Sequence, residues 1–280
     1  MEPRAEHFTR PELGGVALHV LLRGDPAAPA LVLLHGAGAN AHWWDHLAPA
    51  LAQRFRVAAL DFRGHGDSDF PDELVPGAFG DDLEALLAHL DAPDAVLVGH
   101  SLGAHVALAH AARPEATTRA LVLLDPARGL SAGQKRATRL ALSLGRSYRT
   151  REHAVSRFRF LPGESTAEEA LRAAIATHSV RELPDGRFGF KFDPRWFGVP
   201  ARARTDPAAV RCPTLLLRGA RSRLLGPEAA EAFAAEIPGC RLATIPDAGH
   251  HVHVDRPDAT RAQIEAFLDE VRAARPEERA

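Results

Sequence analysis

Gly99-His100-Ser101-Leu102-Gly103 follows the apolar run Ala95-Val96-Leu97-Val98 and precedes an Ala-rich stretch over 104–112, so one serine stands between a buried strand and a helix. A glycine two residues to either side lets the chain turn sharply and leaves the serine hydroxyl projecting from the turn. The start of the helix also presents backbone N–H groups that have no partner of their own beside that oxygen. A hydroxyl so placed is a nucleophile once a base takes its proton, and histidine is the side chain whose titration suits that task near neutral pH. Ala248-Gly249-His250 supplies such a histidine late in the chain, while His251 and His253 crowd the same segment and raise metal binding as a competing reading. For Ser101 the competing reading is a plain strand-to-helix turn with a serine N-cap.

Chemistry between residues 149 positions apart needs a scaffold that brings them to one place. Short apolar runs at 31–34, 57–60, 95–98, 120–124, 214–217 and 242–245 alternate with longer amphipathic stretches. Runs buried on both faces and separated by helices predict a parallel sheet. Helices are predicted over 41–53, 78–90, 102–112, 228–236 and 257–273, with an antiparallel leading strand over 16–22. Parallel strands end at a common edge, so the loop holding His250 reaches the loop holding Ser101. The alternation breaks over 129–206, where helical stretches at 136–144 and 167–176 are followed by Asp185-Gly186, a turn signal. An insertion at the carboxyl edge of such a sheet lies over the place where ligands bind, which makes it a mainly helical cap. The expected organisation is therefore one core, 1–128 and 207–280, with a cap over 129–206.

Composition narrows the partners. The chain has 280 residues, 46% hydrophobic and 25% charged, with a formal net charge of −2, so it carries no general field that would recruit nucleic acid or an acidic membrane. No apolar run approaches the length of a membrane span, and residues 1–11 lack an apolar targeting segment, so a cytoplasmic location is expected. Cys212 and Cys240, each beside a strand-like run, read as core thiols and not as a disulfide framework or a zinc site. Gly36-Ala37-Gly38 lacks the third glycine and the distal acid of a dinucleotide fingerprint. No cofactor and no resident metal are expected.

Leu33-Leu34-His35-Gly36-Ala37-Gly38, the segment from Leu60 through Asp61-Phe62-Arg63-Gly64-His65-Gly66 to Ser68, Gly99 to Gly103, and Ala248-Gly249-His250 occur in that order. Together they resemble the α/β-hydrolase superfamily over about 16–128 and 207–272: its oxyanion loop, the segment after its next strand, its nucleophile elbow and its late histidine loop. The inserted stretch matches by position only. The resemblance implies an α/β-hydrolase fold, a mostly parallel central sheet flanked by helices, with Ser101 as nucleophile and His250 as base. Most members carry their acid after the seventh strand, yet here that loop reads Arg218-Gly219-Ala220-Arg221-Ser222-Arg223, with Arg223 at the expected place. Haloalkane dehalogenases, zearalenone-type lactonases and cofactor-independent quinolone dioxygenases hold theirs after the sixth strand, and Asp125 fits that spacing. Against it stands a role in capping the Asp125-Pro126 turn, with Glu228 as a distant second acid. Backbone N–H groups of Ala37 and Leu102 are the implied oxyanion donors.

His35 and Arg63 are expected to be scaffold. Of Trp43 and Trp44, which point in different directions, one faces substrate and the other the core. Trp44 is taken as the pocket wall, with Gly36 allowing close approach and Tyr148, His178 and Trp196 contributing from the cap. The cap aromatics, Phe158 and Phe160 among them, have the cap's own packing as their competing role. The reading is a serine hydrolase that cleaves a carboxylic ester or lactone of a small apolar molecule, and a homodimer is left open. A cofactor-independent dioxygenase or C–C bond hydrolase on the same triad is one alternative. A hydrolase-like small-ligand receptor with slow turnover is the other. Epoxide hydrolase and dehalogenase chemistry is disfavoured, because it needs a carboxylate where Ser101 stands.

Overall fold

Each of the six apolar runs forms a strand. In chain order the strands are β1 (Arg4–Phe8), β2 (Leu18–Arg23), β3 (Ala30–Leu34), β4 (Arg56–Leu60), β5 (Val96–His100), β6 (Ala120–Leu124), β7 (Ser147–Tyr148), β8 (Val180–Glu182), β9 (Phe188–Phe190), β10 (Thr214–Gly219) and β11 (Arg241–Ile245). The helices are α1 (Ala48–Leu51), α2 (Ala78–His89), α3 (Leu102–Ala111), α4 (Arg151–Ser156), α5 (Glu169–His178), α6 (Pro227–Glu236), α7 (Val252–Asp255) and α8 (Pro257–Ala273). The computed structural model describes residues 2–128, 133, 140, 147–199 and 205–274, so the helix predicted over 136–144 lies, Leu140 apart, outside the described residues.

The main sheet has eight strands in the order β1-β2-β4-β3-β5-β6-β10-β11, with β2 antiparallel to its neighbours and the rest running parallel to one another. Both faces are covered. One apolar layer joins α2, α3 and α6 to the sheet, with Leu83, Ala104 and Phe233 at its centre. The other joins α1 and α8, with Trp44, Leu47, Ile264 and Phe267. This double coverage is why β3, β5 and β6 read as unbroken apolar runs.

One predicted element differs, and one strand was not predicted. The stretch 41–53 is a 3-10 turn over Ala41–Trp44 followed by the short α1, because Pro49 has no N–H to continue a helix begun upstream. β1 is an edge strand whose first side chains are exposed, so no apolar run announced it.

Of the inserted stretch, 147–199 is described: α4, α5 and a three-stranded antiparallel sheet in the order β7-β9-β8. The Asp185-Gly186 turn closes the β8–β9 hairpin, with Gly186 at φ +74°. The cap was expected to be mainly helical; this small sheet is the feature that pattern reading missed, because strands of two and three residues are too short to show a period.

Cys212 and Cys240 are half-buried against the core. Burial pushes the Cys240 thiol up to about 11, which cuts its thiolate fraction roughly 100-fold against an ordinary cysteine at pH 8. Iodoacetamide at that pH is therefore expected to alkylate Cys240 on the order of 100-fold more slowly in the native protein than in urea, read peptide by peptide by mass spectrometry. Equal rates would contradict the burial.

Candidate active site

The strand register decides which loops meet. His100 lies opposite Leu124, and the Ser101 N–H continues that ladder to the Leu124 carbonyl at 3.0 Å. Leu124 in turn lies opposite Leu217, and the Asp125 N–H reaches the Leu217 carbonyl at 2.7 Å. Ser101 and Asp125 thus stand one residue past the ends of adjacent strands, at φ +51° and +45°. The elbow is tight: a Cβ on Gly103 would lie 2.3 Å from the Leu34 carbonyl oxygen, and one on Gly99 would lie 2.4 Å from the Gly103 backbone. Leu102 is the first residue of α3, so its N–H has no carbonyl one turn back to bond.

His250 comes to the same edge through the loop after β11. That loop is pressed onto β10, where a Cβ on Gly219 would meet the Gly249 carbonyl oxygen at 2.0 Å. Asp255, fully buried, accepts the Gly249 N–H at 2.7 Å and holds the loop from below. His100 Nε2 donates to the His250 carbonyl at 3.0 Å, which ties the residue before Ser101 to the loop of the candidate base. His250 Nδ1 donates to Asp125 Oδ1 at 2.8 Å, and both side chains are buried. Asp125 also accepts the Ser222 hydroxyl at 2.6 Å on Oδ1 and the Gly219 N–H at 2.8 Å on Oδ2. Three donors around a buried carboxylate satisfy it as an anion.

Arg223 is exposed; the side chain that faces Asp125 from this loop is Ser222, one residue earlier. No pattern in the Arg-rich loop marks Ser222, because its role depends on the turn after β10. Glu228, the second candidate acid, lies in the first turn of α6 and is exposed.

The loop of Gly36 and Ala37 is held by His35. Its Nε2 accepts the Phe62 N–H at 3.1 Å, so its Nδ1 is the nitrogen that donates to the Gly36 carbonyl at 2.8 Å. Burial lowers the pKa of His35, in keeping with a neutral ring. Arg63 pairs with buried Asp82 through Nε at 2.7 Å. Gly36 packs directly on the elbow, where a Cβ would meet His100 Nδ1 at 2.7 Å and Ser101 Cβ at 3.3 Å. Ala37 is the exposed tip of this loop.

The expected pocket residues divide. Trp44 is wholly buried in the core, stacked on His253 at 4.4 Å, so it is not a pocket wall. The 3-10 turn sends Trp43 the other way, toward Phe158, Phe160 and His251 of the cap-facing cluster. Tyr148 packs with Ala154 and Val180 inside the insertion, a second correction: it belongs to that insertion's own small core. His178 is exposed and stacks on His42 at 4.0 Å, at the outer seam between the insertion and the turn after the oxyanion loop. Trp196 packs tilted against Phe79 at 4.5 Å and, with Leu102 and Val106, lines a cavity of about 660 Å³ that Asp81, Glu84 and Arg113 also border. Sequence reasoning also missed the residues that fasten the insertion. Buried Ser179 accepts from Trp43 Nε1 at 3.3 Å and Asn40 Nδ2 at 3.4 Å, and the Thr166 N–H bonds Asp255 at 2.9 Å.

Residues 31–263 match the alpha/beta hydrolase family. The chain is 30% identical over 258 residues to the mouse sn-1-specific diacylglycerol lipase ABHD11, covering 89% of this chain and 83% of that one. It is 28% identical over 273 residues to a 2-(acetamidomethylene)succinate hydrolase of Mesorhizobium japonicum, covering 95% and 97%. A crystal structure of E-2-(acetamidomethylene)succinate hydrolase superposes with a TM-score of 0.83 at 24% identity, over 95% of this chain and 99% of that one.

Proposed function

Because the chain belongs to the α/β-hydrolase family, we propose that it is a serine hydrolase cleaving a carboxylic ester or lactone of a small apolar substrate through an acyl-enzyme on Ser101. The observation that carries this is the His250–Asp125 bond of 2.8 Å, made from the loop beside the Ser101 elbow. Ser101 Oγ attacks the carbonyl carbon while His250 Nε2 takes its proton, and the imidazolium that forms is held by the Asp125 carboxylate at Nδ1. The backbone N–H groups of Ala37 and Leu102 receive the charge that develops on the carbonyl oxygen. His250 returns the proton to the leaving alkoxide. It then takes one from water, which attacks the acyl-enzyme, and gives it to Ser101 Oγ as the acid is released. In this reading Trp43 replaces Trp44 as the core's aromatic contribution to the cap side.

A fluorophosphonate probe tests the reading, followed by a panel of p-nitrophenyl esters, lactones and amides. One adduct at Ser101, lost in Ser101→Ala, and multiple turnover on an ester or lactone are expected. A folded protein that takes no label would refute it, as would oxygen uptake with an aromatic substrate in place of hydrolysis. Labelling that stops after a single turnover of every substrate would support a receptor instead.

A further inference from the structure

Three imidazoles converge where the proposed mechanism uses one. His100, His250 and His251 are 1%, 3% and 4% exposed, and each offers a ring nitrogen within 4.8 Å of the other two. Their hydrogen bonds fix which nitrogens are free. His100 Nε2 faces a carbonyl and must carry the proton, so Nδ1 is a bare lone pair, and it has no hydrogen-bond partner. His250 Nδ1 faces a carboxylate and must carry the proton, which leaves Nε2 as the lone pair. His251 meets the Leu161 backbone only loosely: neither of its nitrogens makes a hydrogen bond of ordinary geometry, and the ring is fixed by contacts with Trp43 at 5.5 Å and Phe160 at 5.2 Å. Buried polar atoms without partners are costly and call for an explanation.

We propose that His100, His250 and His251 form a reversible binding site for a divalent transition ion of the zinc class, which takes the catalytic base out of service. This rests on the reading of His250 as that base. Three neutral imidazoles with an open fourth position are a donor set that zinc accepts, at Zn–N distances of roughly 2.0–2.1 Å. The rings must close in by on the order of an ångström to reach them. The orienting partners are in place: a carboxylate on the far nitrogen of His250 and a carbonyl on the far nitrogen of His100, the arrangement that usually orients histidine ligands. The Asp125 carboxylate also offsets part of the cation's charge. Binding occupies the lone pair with which His250 would deprotonate Ser101. The ion is an inhibitor here, not a resident cofactor.

The test uses the full chain with ZnCl2 as probe and two readouts, isothermal titration and the rate of fluorophosphonate labelling. Expected are one tightly held ion per chain and labelling slowed more than tenfold, reversed by EDTA. His251→Phe and His251→Asn, which differ in shape and share the loss of a strong ligand, are expected to label at the zinc-free wild-type rate and to bind zinc at least tenfold more weakly. His42→Ala, which removes a ligand from the separate His42, Asp45 and His178 cluster, is expected to change neither. Absence of binding, binding that does not slow labelling, or zinc affinity retained in both His251 variants would each overturn the proposal. If the zinc-free protein takes no label, the hydrolase reading fails by itself, and the titrations of wild type against the His251 variants still decide the metal site.

Discussion

Ser101→Ala and His250→Ala are each expected to lower kcat on the order of 10⁶-fold, and the double variant is expected to fall no further, because nucleophile and base act as one unit. The fold should survive both changes. Neither Ser101 nor His250 belongs to the apolar layers that hold the sheet, and neither replacement adds atoms to a buried site. Steady-state kinetics on the best ester of the panel, with circular dichroism to confirm folding, measures the effect. Wild-type kcat in His250→Ala, or a dead His251→Ala beside an active His250→Ala, would show that the wrong histidine has been assigned.

Asp125→Asn is expected to lower kcat by about 10⁴, the size of the corresponding change in serine proteases. The amide keeps the shape and loses two things: the charge that stabilises the imidazolium, and an acceptor that holds the proton on His250 Nδ1. It also turns an NH2 group toward one of three donors, from His250, Ser222 and Gly219, that now converge on a carboxylate. The control is Arg223→Ala, which removes an exposed side chain one residue away from Ser222 and should change kcat less than about tenfold. Near-normal turnover in Asp125→Asn would leave Ser101 and His250 working without this acid and would redirect the search to Glu228.

The strands that place the site are legible because they are buried on both faces. A run such as Ala120-Leu121-Val122-Leu123-Leu124 has no polar face to confuse with a helix. α8 is legible for the opposite reason: an apolar stripe of Ile264, Phe267, Leu268 and Val271 recurs at helical spacing behind a proline at the first position. β1 is not, since its Arg4 and Ala5 face solvent. The juxtaposition of Ser101, Asp125 and His250 follows from motif order and from a shared strand edge. The choice between Trp43 and Trp44 does not, because it turns on whether the chain after Asn40 makes a 3-10 turn or a helix, and Pro49 decides that only through its place in the fold. Ser222 is invisible for a similar reason: a serine in a loop acquires a role only when the loop's path brings it to a buried carboxylate.

Ser101 and Asp125 hold positive φ angles of 51° and 45° without being glycines. Each such conformation costs of order 1–3 kcal/mol unless the surroundings impose it. Two of the three side chains proposed to do the chemistry therefore sit at points of backbone strain along the edge of the sheet, and glycine at either would relax the backbone while removing the function. A search for heat-resistant variants that scores survival alone would be rewarded at these positions for destroying the enzyme, so any such campaign on this chain has to select on turnover at the same time.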